Sequence, residues 1–292
     1  MASRQNYRQL IAKVRENDQY YFLDDRPQIS DHEYDQMLRQ IEAIEREHPE
    51  WKEGASPTER VGGGASTPSI TLPHPVAMLS LANAYSQEEM MAFVDRVNRW
   101  VGEEVTYTGE LKIDGIAVSL HYERGNLVHG LSRGNGIQGE EITRHILHIP
   151  DLPHYVEAFA DWEMAIVRGE IFIEQVDFDR MNREREERGE ESWANARNAA
   201  GGALKLLDSS LSSDRHLKIL CYQLITDAPT LPTQKARYGA LKEAGFPLHL
   251  QELLEGPKDI FHFINRMEGM RRNLPFGVDG VVIKVNEIAH QE

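Results

Sequence analysis

The segment Glu110-Leu-Lys-Ile-Asp-Gly115 sets the hardest condition on how this 292-residue chain can fold. Val105, Tyr107 and Leu111 favour extended structure, and Gly115 predicts a tight turn with a backbone angle closed to other residues. Side chains two apart on a strand share a face, so Glu110, Lys112 and Asp114 form one row: carboxylate, amine, carboxylate. The flanking segments are apolar enough to be a buried sheet, so these charges must find partners at its mouth. A lysine held there is a candidate nucleophile. Taken alone, the motif is read more readily as a salt-bridged lysine on a surface strand edge.

A second charge carries the same condition. Lys284 lies on the apolar strand Val281-Val282-Ile283-Lys284-Val285, where an unpaired ammonium is costly. Arg133 sits on a Gly-rich loop, Arg133-Gly-Asn-Gly136, whose backbone can come close to a ligand, and Glu170 ends an Arg168-Gly-Glu170 strand. These features suit a phosphate or nucleotide. The chain holds no G-x-x-x-x-G-K-[ST] loop and no G-x-G-x-x-G between strand and helix, which excludes a P-loop and argues against a Rossmann site.

The formal charge of −15 argues against coating nucleic acid by bulk electrostatics, although a local basic face stays open. A single cysteine, Cys221, excludes an internal disulfide framework and a cysteine-rich zinc site. No apolar run approaches a membrane span and no signal pattern opens the sequence, so no membrane contact and a cytoplasmic, reducing location are expected.

Residues 1 to about 50 predict helices. Leu10, Ile11 and Val14 stripe the first. Ser30-Asp31-His32-Glu33 reads as a capping box opening the second, with Tyr34, Met37, Leu38, Ile41 and Ile44 as its buried stripe. Asp31 and Asp35, one turn apart near that N-terminus, would welcome a cation; from this segment alone, ordinary packing of a small helical subdomain is the preferred reading. Gly62-Gly63-Gly64 and the Ser, Thr and Pro after it mark a linker. Domains at 1–68 and 69–292 are expected. Ser86-Gln-Glu-Glu89 predicts a second capping box opening another helix, and Ile116 to Tyr122 a half-buried strand, with Ser119 and His121 on its open face, returning through Leu127 to Ser132. Strands at 164–173, 218–225 and 279–285 mix with helices at 175–188, 234–244 and 259–270 without regular alternation. The expected class is therefore α+β with a largely antiparallel sheet.

The chain resembles the NAD-dependent DNA ligases of bacteria. Glu110-Leu-Lys-Ile-Asp-Gly115, Ser132-Arg-Gly134, Arg168-Gly-Glu170, Asn198-Ala-Ala-Gly201 and Asp279-Gly-Val-Val-Ile-Lys284 are similar to that family's nucleotidyltransferase motifs, in its order. Ile29-Ser-Asp-His-Glu-Tyr-Asp35 and His48-Pro-Glu-Trp51 resemble its N-terminal helical domain. K-x-D-G alone also fits ATP-dependent ligases and capping enzymes; the N-terminal motif makes the likeness specific to NAD.

The resemblance implies a helical NAD-recognition domain followed by an ATP-grasp-like nucleotidyltransferase domain. It implies catalysis by Lys112, Asp114 and Lys284: Lys112 takes AMP from NAD into a phosphoramide bond, with release of nicotinamide mononucleotide. AMP then passes to the 5′-phosphate of nicked double-stranded DNA and is displaced by the 3′-hydroxyl, the nick sealing of replication and repair. Glu110 would face the adenine, near Ser80, Leu81 and a stacked Tyr222. Arg133 and Glu170 would contact the ribose and its surroundings, and Lys284 the adenine and α-phosphate. Arg197 and Arg271 complete the nucleotide-binding set, and Mg²⁺ is the implied metal. Tyr21, Asp31, Tyr34 and Asp35 would grip the nicotinamide mononucleotide half. Ala82, Asn135, Ala196 and Lys205 stand where the family usually has aspartate, aspartate, proline and arginine, and Phe22 where a polar ring is common. A further family lysine downstream of Lys284 and the DNA-clamping domains lie outside the chain, so a fragment that does not seal nicks alone is expected. Two rivals remain at this stage: a degenerate NAD- or AMP-binding relative, motivated by Ala82, Asn135 and Lys205, and an ATP-using nucleotidyltransferase.

The N-terminal reading has a direct test. Deleting residues 1–60 is expected to stop AMP uptake from NAD, scored by intact mass. Undiminished uptake would assign those helices a structural role only.

Overall fold

The structure is a computed structural model that describes residues 4–18, 31–51, 70–204, 216–228 and 230–291. The chain divides into two compact units, residues 1–80 with 132–141, and residues 81–131 with 142–292.

In the first unit, helices α1 (Arg4–Asp18) and α2 (Asp31–Glu47) bury Tyr7, Val14 and Ile41, with Leu10, Ile11, Met37, Leu38, Ile44 and Trp51 packed around them. Leu10, Ile11, Val14, Met37, Leu38, Ile41 and Ile44 are the stripe expected at helical spacing; Tyr7 and Trp51 join it, and the Tyr34 side chain lies outside the described residues. The Tyr7 hydroxyl donates to Glu45 at 2.8 Å, which satisfies its polar tip. The Ser30 cap of α2 and the linker at 62–64 lie outside the described residues. The unit also holds a two-stranded antiparallel ribbon, β1 (Thr71–Pro73) with β5 (Gln138–Glu140), both too short to leave a periodic signal.

The second unit is α+β with antiparallel pairing, as expected. A three-stranded sheet runs β8 (Gln251–Leu254), β2 (Tyr107–Ile113), β9 (Val278–Val285). A four-stranded sheet runs β4 (Asn126–Ser132), β3 (Ile116–Glu123), β6 (Ala165–Phe172), β7 (Lys218–Ile225). Helices α3 (Gln87–Val101) and α8 (Pro257–Met270) cover the first sheet, burying Val94, Ile260, Phe263 and Met267 against Tyr107, Leu111, Leu254, Val278 and Val285. A larger core lies against the second sheet, where Val118, Leu120, Tyr122, Val167 and Leu224 meet α4 (Thr143–Ile146), α5 (Gln175–Glu187), α6 (Ala196–Leu204) and α7 (Gln234–Glu243).

Three local expectations change. Ser86 caps α3 by accepting from Glu89 N–H at 3.2 Å, but Glu89 reaches back to Tyr85 N–H, one residue before the cap. β3 is buried on both faces rather than one: Ser119 and His121 are buried, and Ser119 Oγ and His121 Nε2 satisfy each other at 2.9 Å. Gly115 is absent from the left-handed residues. Its requirement is space, because a Cβ there would overlap the Ile171 carbonyl and meet Glu170 Cγ at 2.9 Å.

Gly115 is where the chain passes from β2 to β3, so this close approach seats the site strand. Gly115→Ala is expected to destabilise the chain by about 1–3 kcal/mol or more, the usual cost of overpacking, because the opposing atom is backbone. The check is the denaturant midpoint at constant m-value.

Candidate active site

β2 and β9 place the charged residues. They run antiparallel with Thr108 opposite Lys284, Glu110 opposite Val282 and Lys112 opposite Gly280. Directly paired residues share a face, so Glu110 and Lys112 of β2 and Lys284 of β9 share one. Each lysine takes a carboxylate from across the sheet. Lys284 Nζ donates to Glu110 Oε1 in a pair whose side chains are 13% and 8% exposed. Lys112 Nζ donates to Asp279 Oδ2 at 3.0 Å, in a pair 42% and 29% exposed. This corrects the expected arrangement of Lys112 between Glu110 and Asp114: Glu110 is engaged by Lys284, and Asp279 is the lysine's partner.

Asp279 was not among the candidate residues. It opens the quoted Asp279–Lys284 segment, and only the β2–β9 register reveals its place beside Lys112. A register shift between Lys112 and Ile113 ends the regular pairing there, and Asp114 N–H donates to the Gly277 carbonyl at 2.9 Å. Arg197, near the start of α6, donates to Asp114 Oδ1 at 3.3 Å. Burial first, and the Asp279 charge second, push the Asp114 carboxyl above its ordinary range, against the opposing pull of Arg197 and Lys112. Lys112, Asp114, Asp279 and Arg197 therefore form one cluster.

The second cluster centres on Glu110. Gln251, directly opposite it on β8, donates from Nε2 to Glu110 Oε2 at 3.2 Å. Tyr222 on β7 lies beneath Lys284, with the ammonium 5.1 Å from the ring centroid. The Tyr238 hydroxyl on α7 is raised by burial and next by the Glu110 charge, which places it in the same surroundings. Glu170 sits opposite Ala117 on β6 and beside Gly115. Gln251 and Tyr238 were also missed, since a glutamine and a tyrosine on short or weakly periodic elements carry no motif.

The remaining candidates lie elsewhere or outside the description. Leu81 is exposed, and Arg271 is exposed in the turn after α8. In the first unit, Arg133 donates to Ser80 Oγ at 2.8 Å and to the Met78 carbonyl at 3.4 Å, so these two candidates meet. Asn135 Oδ1 accepts from Ile137 and Gln138 N–H at 3.0 and 2.8 Å. An aspartate would accept the same bonds, which accounts for the exchange at that position. Tyr21 and Lys205 lie outside the described residues; Asp31, Tyr34 and Asp35 lie on the α2 backbone, with their side chains outside the description. Among the described residues no group of three or more metal-ligating side chains converges, and no helix is long and apolar enough to cross a membrane.

Comparison with known proteins gives a consistent match. A family model described as "NAD-dependent DNA ligase adenylation domain" covers residues 69–292, and one described as "DNA ligase-like, N-terminal NAD+-binding domain" covers residues 1–62. A DNA ligase of Chlamydia pneumoniae is 41% identical over 293 residues, 99% of this chain and 44% of that protein. One of Chlamydia trachomatis serovar L2 is 39% identical over 290 residues, with the same two coverages. One of Cytophaga hutchinsonii is 35% identical over 294 residues, 98% of this chain and 44% of that protein. The chain thus spans less than half the length of these relatives.

The perturbed carboxyl gives a pH test. Because the folded-state pKa of Asp114 is raised, its stabilising contribution is full below the ordinary carboxylate range and lost as pH rises through the raised value. Asp114→Asn is therefore expected to melt higher than the parent at pH 7.5 by roughly 2–4 °C, about 1 kcal/mol in a chain of this size. The gap should close near pH 4. A variant that melts lower at pH 7.5 would mean that the Arg197 bond outweighs burial.

Proposed function

The chain belongs to the NAD-dependent DNA ligase adenylation-domain family, and we propose that it performs that enzyme's first half-reaction. The domain assignment is 1–68 for NAD recognition and 69–292 for nucleotidyl transfer. NAD is a substrate. The Lys112 amine attacks its α-phosphorus, a P–N bond forms, and the P–O bond to the β-phosphate breaks. Nicotinamide mononucleotide leaves with the electron pair, and AMP stays on Lys112. The AMP is destined for the 5′-phosphate of nicked duplex DNA in the cytoplasm, a step assigned to the whole ligase.

The carrying observation is the pairing of two lysines with two carboxylates across β2 and β9, one pair open and one buried. A lysine is protonated at neutral pH and must lose a proton to attack. Asp279 already accepts a hydrogen bond from Lys112 and is the nearest acceptor for that proton. Asp114 and Arg197 hold the strand end from which the amine projects. Lys284, fixed on Glu110 and above Tyr222, is the cation left for the charge that develops on the phosphoryl group. Glu110 and Tyr222 would receive the adenine. In the first unit, Arg133 and Ser80 belong to the nucleotide set, and Asp31, Tyr34 and Asp35 to the nicotinamide half.

Mg²⁺ fits this donor set in a limited way. Asp114 and Asp279 are close enough for one carboxylate to raise the other, so together they supply two hard oxygens. An ion that keeps its waters and takes substrate phosphates as further ligands needs no more from the protein. When bound, it would supply Lewis-acid polarisation of the phosphoryl oxygens.

Intact-mass measurement after incubation with NAD is the test. The parent chain is expected to gain one AMP and release nicotinamide mononucleotide. Lys112→Ala should gain none while keeping its thermal midpoint, because the side chain is part-exposed and its strand is held by neighbours. AMP retained on denatured Lys112→Ala protein would move the nucleophile elsewhere.

A further inference from the structure

Gln251 stands out because family and motif give it no role, yet it is more than nine-tenths buried and points at the most enclosed charge of the site. Its amide donates to Glu110 Oε2 at 3.2 Å, while Lys284 donates to Oε1. Its own Oε1 is buried and has no hydrogen-bond partner among the described residues, and the same holds for the Tyr238 hydroxyl. The amide orientation is forced, because turning it over would set a carbonyl oxygen against a carboxylate. One donor on each oxygen stops the Glu110 carboxylate from rotating.

We infer that Gln251 is a positioning residue for substrate selection: by locking the Glu110 carboxylate, it makes the site choose a 6-aminopurine over a 6-oxopurine. The inference rests on the proposed reading that Glu110 faces the adenine of NAD. An ionised carboxylate only accepts hydrogen bonds. A 6-aminopurine offers it N–H donors at position 6. A 6-oxopurine offers a carbonyl there and carries its nearest donor at N1. A locked carboxylate meets that carbonyl and is repelled. One that can turn reaches the N1 donor and accepts both rings. Gln251 touches Glu110 rather than the substrate, so it acts on fit more than on chemistry.

The experiment uses the full chain, NAD and its hypoxanthine analogue, with calorimetry for binding and single-turnover AMP uptake for rate. Gln251→Met removes the donor at nearly constant shape, and Gln251→Asn withdraws it by one carbon. The parent is expected to prefer NAD by roughly tenfold or more, the scale of one hydrogen bond to a charged group. Both variants should bring the two dinucleotides to within about threefold. Half-saturating NAD should rise while the maximal rate stays within about twofold. If Met fails to fold, as judged by its thermal midpoint, Asn decides the question. A folded variant that keeps the parent's preference, or weakens both dinucleotides in proportion, overturns the inference. A parent chain that binds no NAD overturns the functional reading itself, and this is seen before any variant is made.

Discussion

The buried pair of Lys284 and Glu110 is the constraint on which the rest of the site depends. An ammonium on a strand as apolar as β9 is tolerable only if a carboxylate faces it and the remaining lone pairs are satisfied. Glu110 meets the first need and the Gln251 amide serves the second oxygen. Both come from strands paired in one sheet, so the register β8–β2–β9 is held by electrostatics as well as by the Val94, Phe263 and Val285 core beneath it. Slipping β2 by one residue would turn Glu110 to the other face and leave Lys284 unpaired. The register shift after Lys112 then leaves Asp279 out of the regular pairing, where its carboxylate meets the Lys112 amine.

The sequence disclosed what depends on local pattern or on strong punctuation. The α1–α2 stripe, the Ser86 helix start and strands β3, β4, β6, β7 and β9 could all be read from periodicity, turns and caps. So could the candidate status of Lys112 and Lys284, because a lysine in an apolar strand is an anomaly. What stayed hidden depends on pairing. Asp279 looked like a strand opener until β9 was laid against β2. Gln251 lies on a four-residue strand, too short to carry a readable pattern. Ser119 and His121 looked solvent-facing, because alternation cannot show that both faces of β3 are covered. Gly115 was assigned to a backbone angle when its cause is the Ile171 carbonyl across the turn.

Charge is the property that least resembles a DNA enzyme. Acidic residues outnumber basic ones 47 to 32. Duplex affinity comes mainly from phosphate neutralisation, so a chain with this balance is poorly equipped to hold DNA by itself. The cations it does place near the reacting centre are few and specifically paired: Lys112, Lys284 and Arg197, each on a carboxylate. That distribution fits the dinucleotide chemistry proposed for this chain better than the wrapping of a duplex.

The two lysines differ in how firmly they are held, and the difference matches the different work proposed for them. An ion pair as exposed as Lys112–Asp279 is worth about 0–1 kcal/mol, so the amine can leave its carboxylate at little cost when a phosphorus arrives. Breaking a buried pair such as Lys284–Glu110 by removing one partner costs about 3–5 kcal/mol, so that cation keeps its place through the reaction. A nucleophile has to move and a charge stabiliser has to stay. Burial decides which lysine does which: Lys284 crosses the fully buried Thr108, whereas Lys112 crosses the exposed Gly280. One antiparallel pair therefore holds two chemically identical side chains with different firmness.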